Sequence, residues 1–243
     1  MRTVQAAIFD WGNTLVDYPL ETAEEQVAWL ASFLRSAARQ WSAPLKKEME
    51  ALADKQEALY RFNQEMPDYR VRGFEGRLRE VLPVGFSAHV ASVVEQQLCR
   101  RLFASARIVE GAEDVVLKLH KQGLAVGIIS NTPWGTTPNE WRGEIDRYDF
   151  IRKSCSATVF CHDVGFRKPH PAAFHSCLQK LGASPDKTIV IGDSLSSDVA
   201  GALAVGCKSL WFDRRHSGIT ATGQPSVTQL ADTLAVIDNM NAA

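Results

Sequence analysis

Hydrophobic and polar positions along this chain fall into two textures, and each predicts its own kind of element. Residues 4–9, Val-Gln-Ala-Ala-Ile-Phe, make a short apolar run that stops at Asp10, and a turn-rich Gly12-Asn13-Thr14 follows. That pattern predicts a buried strand running into a turn. From about 20 to 103 the chain is rich in Ala, Glu, Gln, Arg and Leu, all good helix formers. Val27, Leu30 and Leu34 recur at helical spacing there, and Leu52, Leu59 and Phe62 recur similarly. Breakers at Pro44, Pro67, Gly73 and Pro83 to Gly85 divide this block into four expected helices. After Gly111, short apolar strands alternate with helices. The pattern predicts a helix over 112–122 stopped by Gly123, a strand over 124–129 and a short strand at 158–160. It then predicts a helix over 171–181 stopped by Gly182, a strand over 188–191, a helix over 198–205 stopped by Gly206, a strand over 208–212 and a last helix over 227–237.

Strands alternating with helices argue for a parallel sheet covered on both faces. The helical block interrupts that alternation directly after the first strand. The expected fold is therefore α/β: a doubly wound, parallel-sheet, Rossmann-like core over 1–18 and 106–243, with an inserted helical cap over 19–105. A length of 243 residues accommodates one domain with such an insert. The 45% hydrophobic and 23% charged fractions exclude a disordered tail, a collagen or a coiled-coil rod. With 27 Lys and Arg against 28 Asp and Glu, the net charge of −1 gives no electrostatic case for nucleic acid or an anionic membrane. No apolar run approaches the roughly 20 residues that span a bilayer, and no secretory apolar region follows Met1. The five cysteines show no CxxC pair, which predicts reduced thiols and a cytoplasmic protein.

In open parallel sheets, ligands bind outside the carboxyl ends of the strands. Here those ends carry Asp10, then Ser130 and Asn131, then Asp193 with Asp198 in the following turn; Lys168 precedes the helix over 171–181. Each acid alone reads as a turn or cap residue. Together, two acids beside a third, a hydroxyl and a lysine suit a divalent cation and a phosphoryl group in one place. Carboxylate oxygens favour Mg²⁺, which is bound by one or two carboxylates plus phosphate oxygens.

Four segments resemble the four motifs of the haloacid dehalogenase superfamily, most of whose members are phosphatases. They are Ile8-Phe9-Asp10-Trp11-Gly12-Asn13-Thr14-Leu15, Ile128-Ile129-Ser130-Asn131-Thr132, Val164-Gly165-Phe166-Arg167-Lys168-Pro169-His170-Pro171, and Ile191-Gly192-Asp193-Ser194-Leu195-Ser196-Ser197-Asp198. An insert between the first two motifs resembles the helical cap called the C1 type. The resemblance implies hydrolysis of a small phosphorylated metabolite through an aspartyl-phosphate on Asp10. It implies that Ser130 and Asn131 bind the phosphoryl group with Lys168, which also neutralises developing charge. It implies Mg²⁺ held by Asp10, Asp193, Asp198 and the Gly12 carbonyl, and a monomer or homodimer.

One position departs from the family pattern. Two residues after the nucleophile most family phosphatases carry a second Asp, which protonates the leaving group and activates water. Here Gly12 stands in that place. The chain is then a phosphatase that works on a good leaving group or through water or another side chain, with Asp17 the nearest acid and His170 a further one. Alternatively it cleaves a carbon–phosphorus bond, as phosphonoacetaldehyde hydrolases do with a cap lysine, for which Lys46, Lys47 and Lys55 are the candidates. A dehalogenase, which has an aromatic residue at this position, fits less well. A catalytically silent binding protein on the same fold is the competing class. Arg70, Arg72, Arg77 and Arg79 read as a solvated basic face, or as contacts to an anionic substrate. Trp134 and Trp141 read as packing residues. His162, His170 and His175 lack cysteine partners at zinc spacing.

Overall fold

The computed structural model describes residues 3–18, 20, 22–41, 43–64, 66–82, 87–219 and 223–242. They form two compact units. The first comprises residues 1–17, 107–131 and 143–243, and the second 18–106 and 132–142.

Among the described residues the first unit is built on eight strands: β1 (Ala6–Phe9), β2 (Val16–Asp17), β3 (Arg107–Ile108), β4 (Ala125–Ser130), β5 (Cys155–Phe160), β6 (Thr188–Gly192), β7 (Lys208–Phe212) and β8 (Ser226–Val227). Six of them form one sheet in the order β5-β4-β1-β6-β7-β8, with every pairing parallel. This is the Rossmann-like α/β arrangement that the alternation predicts. The central strands are near-continuous apolar runs, as strands buried on both faces must be. All four residues of β1 and all five of β6 are buried. The helix Pro171–Leu181 packs Ala173, Phe174, Cys177 and Leu178 into one core with Ile8, Ile129, Val159 and Val190. The helix Ala112–Lys121 buries Val115, Val116 and Leu119 and lies against β4. From β1 the chain builds β4 and β5 on one side, then β6, β7 and β8 on the other. The direction of growth reverses between β1 and β6, and such a reversal opens a crevice at the carboxyl ends of the two strands.

The sheet differs from the sequence pattern at three places. The third expected strand, 158–160, starts earlier, at Cys155. The helix expected over 198–205 begins as a wide turn, Leu195–Val199, and continues as Ala200–Ala204. The helix expected over 227–237 is instead β8 followed by Thr233–Ala242. Val227 pairs with Phe212 and is buried, so ladder bonds at the sheet edge outcompete local helix propensity there. The antiparallel pair β2–β3 has only two residues per strand, too short to leave a periodic signal.

Residues 18–106 of the second unit hold five helices among the described residues: Ala23–Ala38, Ala43–Ala53, Gln56–Asn63, Phe74–Val81 and Ala88–Phe103. The sequence pattern predicts four. The additional break falls at Lys55, which leaves helical geometry with φ −98 and ψ 79 without any Gly or Pro. Pro44 lies within the first turn of its helix and so ends nothing. The break expected at Pro83 to Gly85 lies outside the described residues. Thr22 and Glu25 close a capping box that starts the first helix. Residues 132–142, expected with the sheet, group with these helices because of their aromatic side chains. Trp134 stacks on Trp29, with ring centroids 5.4 Å apart. Trp141 meets Tyr18 and Phe103 edge-on.

Candidate active site

The register of the sheet decides which side chains meet. Phe9 lies opposite Ile128 on one side and Ile191 on the other. Asp10 is therefore the first residue beyond β1, and its N–H donates to the Ile191 carbonyl at 2.9 Å. Gly192 ends β6, so Asp193 emerges beside it.

Lys168 is 3% exposed and donates to three acceptors: Asp10 Oδ1 at 2.5 Å, Asp198 Oδ1 at 2.6 Å and the Ile129 carbonyl at 3.0 Å. These bonds use all three protons of the ammonium. The Asn131 side chain holds the Lys168 backbone at both ends: Oδ1 accepts from its N–H at 2.9 Å and Nδ2 donates to its carbonyl at 3.2 Å. Asn131, expected to bind the phosphoryl group, thus turns its amide to the lysine. Ser130 is buried at the end of β4, next to the Ile129 carbonyl that Lys168 touches.

Asp198 lies in the wide turn. The Val199 N–H reaches back five residues to the Ser194 carbonyl at 3.2 Å, a geometry frequent at functional sites. Ser194 Oγ accepts from the Ser197 N–H, and Asp198 Oδ2 accepts from the Ser194 N–H at 3.0 Å. Gly192 is required beneath it: a Cβ at that position would lie 2.3 Å from Asp198 Oδ2. Both backbone groups of Asp193 are held by side chains. Its N–H donates to Thr14 Oγ1 at 3.1 Å, and its carbonyl accepts from Trp211 Nε1 at 2.9 Å. Thr14 Oγ1 also donates to Asp10 Oδ2 at 3.2 Å.

Carboxylate oxygens of Asp10, Asp193 and Asp198 all lie within 4.8 Å of one another. Lys168 pairs with Asp10 and Asp198; among the described residues no ion pair reaches Asp193. The electrostatics follow from that imbalance. Burial raises the Asp10 carboxyl to about 6, against the opposing pull of Lys168. Burial, then repulsion from Asp10 and Asp198, raises Asp193 to about 7. Burial works against the Lys168 ammonium, but the two carboxylates outweigh it and hold its pKa above the usual value. A divalent cation fits this donor set. It brings the charge that Asp193 lacks, and three hard oxygen donors converge on one volume.

Gly12 is half-buried in the turn after β1 and pairs with Val16 in an isolated bridge. Neither replacement acid considered for it is left open-handed. Both Asp17 oxygens take the guanidinium of Arg214. His170 caps the helix Pro171–Leu181, its Nδ1 accepting from the Ala172 N–H at 3.3 Å, and its ring stacks on Phe166. Lys46, Lys47 and Lys55 are exposed, whereas a lysine that forms Schiff bases is activated by desolvation or a neighbouring cation. The cap arginines spend their charge within their own unit: Arg70 on Asp68, Arg72 on Glu80 and Arg79 on Glu75, while buried Arg77 donates to the Phe62 and Gln64 carbonyls.

A family model described as a hydrolase, haloacid dehalogenase-like hydrolase, matches residues 4–206. A glyceraldehyde 3-phosphate phosphatase of Pyrococcus furiosus is 36% identical over 115 residues, 45% of this chain and 44% of that protein. The N-acylneuraminate-9-phosphatase of Rattus norvegicus is 24% identical over 98% of this chain and 96% of that protein. Alignments to the archaeal glyceraldehyde 3-phosphate phosphatases span about half of those proteins' length. The crystal structure of a phosphatase from Thermococcus onnurineus shares the fold, with a TM-score of 0.66 and 18% identity over 96% of this chain and 98% of that one.

Proposed function

The chain belongs to the haloacid dehalogenase-like hydrolases, and we propose that it hydrolyses a small phosphomonoester through an aspartyl-phosphate on Asp10. The observation that carries this reading is the constellation of three carboxylates around one buried lysine at the carboxyl ends of parallel strands. A magnesium ion would be held by Asp10, Asp193 and the Gly12 carbonyl, with Asp198 bracing the site. When bound, it would screen the repulsion between the Asp10 carboxylate and an anionic phosphoryl group.

In the first step an Asp10 oxygen attacks phosphorus and the bond to the leaving oxygen breaks. The Ser130 hydroxyl donates to a phosphoryl oxygen, and the Lys168 ammonium, held beside Asp10, neutralises the charge that develops there. In the second step water attacks the phosphorus of the aspartyl-phosphate, loses a proton to solvent, and releases phosphate with Asp10 restored. Position 12 offers no side chain for either proton transfer, and general acid–base help is worth roughly 10²–10⁴ in rate. The substrate class is therefore a phosphomonoester whose leaving oxygen departs without protonation, such as a sugar phosphorylated at its anomeric oxygen. The first step escapes this loss when the leaving oxygen needs no proton; the second, attack by water without a base, does not, and so limits turnover. All residues invoked lie in the first unit, 1–17, 107–131 and 143–243. The five thiols suit a cytoplasmic setting.

Phosphate release from a panel of phosphomonoesters, with Mg²⁺ and with EDTA, tests the reading. The panel includes glyceraldehyde 3-phosphate and phosphoglycolate, for which relatives are named, and an anomeric sugar phosphate. Turnover that needs Mg²⁺ and disappears in Asp10→Asn is the expected result. Turnover that survives in Asp10→Asn, or release only from a phosphonate, would refute it.

A further inference from the structure

Asp17 and Arg214 are 197 positions apart in sequence. Asp17 ends β2, and Arg214 follows β7 by two residues. The guanidinium meets the carboxylate with both prongs: Nη1 donates to Oδ1, and Nη2 to Oδ2 at 2.8 Å. The two side chains are 25% and 30% exposed. An ion pair so exposed adds little to global stability, but a bidentate one fixes geometry.

What it fixes is the turn that begins at the nucleophile. The N–H groups of Leu15 and Val16 donate to the Trp11 carbonyl, and Asn13 N–H donates to the Val16 carbonyl at 2.8 Å. The segment from Trp11 to Val16 is thus a closed unit, and displacing Asp17 displaces Gly12 and Thr14 with it. Thr14 in turn touches the Asp10 carboxylate and the Asp193 N–H. At the other end, Trp211 holds the Asp193 carbonyl. Asp213 shapes the loop that starts at Arg214 by accepting from the N–H and Oγ of Ser217. β1 and β7 flank β6 in the sheet, and β6 leads into Asp193. The Arg214–Asp17 bridge therefore joins the two segments that hold Asp193 from either side.

We propose that Arg214 is a positioning residue of this centre. Through Asp17 it sets the place of the turn 11–16 relative to Asp193, and so the spacing of the carboxylates that receive the divalent cation. The cation's part in this rests on the reading given under Proposed function. The same contact commits Asp17 to holding the turn and removes it from acid catalysis.

Three variants of the full chain test this: Arg214→Lys, Arg214→Asp, and Arg214→Asp combined with Asp17→Arg. The measurements are Mg²⁺ affinity by calorimetry, kcat and KM, hydrogen exchange of the amides of 11–17 in EDTA, and the melting temperature. Arg214→Asp should weaken Mg²⁺ binding by about 10-fold or more, the usual effect of losing a partner that orients a ligand. It should lower kcat more than KM, speed exchange in 11–17 and leave the melting temperature nearly unchanged. Arg214→Lys should fall between, because a point charge cannot hold both oxygens. The charge swap should recover most of the loss. Unchanged affinity and exchange in Arg214→Asp, or a swap that restores neither, would overturn the proposal. A wild-type protein that binds no Mg²⁺ would sink the phosphatase reading separately. Exchange in 11–17 would then decide the positioning claim: faster in Arg214→Asp and restored by the swap supports it, and unchanged overturns it.

Discussion

Lys168 balances two of the three acids around it, and the third is left for a cation. Replacing Lys168 with Met would leave Asp10 and Asp198 buried without their counter-charge. Turnover should fall by about 10²–10³, the usual cost of removing one charge-stabilising donor; steady-state phosphate release checks it, and a drop below about 10-fold would contradict the role. The raised carboxyls make a second, pH-dependent prediction. Asp10 at about 6 and Asp193 at about 7 sit above the ordinary 3.8, so the folded state binds protons more readily than the unfolded one between these limits. Their contribution to stability is complete below about pH 4 and is lost as pH rises through 6 to 7. In EDTA, the melting temperature of the wild type relative to Asp193→Asn should fall over that interval, and Mg²⁺ should cancel the fall; a relative rise with pH would contradict the assignment. At this scale the acids and the lysine are legible in the sequence, because they fall in four recognisable motifs, with Asp10 and Asp193 directly after apolar strands. Trp211 and Arg214 were not. An indole inside a buried strand reads as core, and a guanidinium whose partner lies 197 positions away leaves no local trace.

The elements that hold the site were legible where periodicity and stop signals agree. Gly123, Gly182 and Gly206 all take positive φ at helix ends, as C-terminal stops do. Illegible elements were those decided by distant partners: β8, which exists only as an edge to β7, and the β2–β3 pair, whose strands are two residues each. The segment 132–142 groups with the helices, where its aromatic side chains stack, and its own pattern carries no sign of that. Gly135 is the tightest point of that segment. It takes φ +73, and a Cβ there would lie 2.0 Å from the Arg72 carbonyl oxygen. Gly135→Ala should therefore cost about 2 kcal/mol or more, combining backbone strain with a backbone clash. A denaturant midpoint unchanged from wild type would show that the segment is not held this way.

For the whole molecule, the order of strands does the largest share of the work. Growth of the sheet reverses beside β1, which brings Asp10 and Asp193 to one crevice although 183 residues separate them in the numbering. The fold class follows from one observation, the alternation of short apolar strands with helices. Substrate identity did not follow, because fold sets where chemistry occurs and leaves the ligand to individual side chains. The central claim is that Asp10 becomes phosphorylated although position 12 carries no acid. Rapid quenching of a turnover mixture with an anomeric sugar phosphate, followed by peptide mass measurement, tests it most directly. An unaided second step predicts that the aspartyl-phosphate accumulates, so the Asp10 peptide should carry a phosphoryl group in early quenches and lose it after substrate is exhausted. Steady release of phosphate with the Asp10 peptide unmodified at every time point would contradict the account.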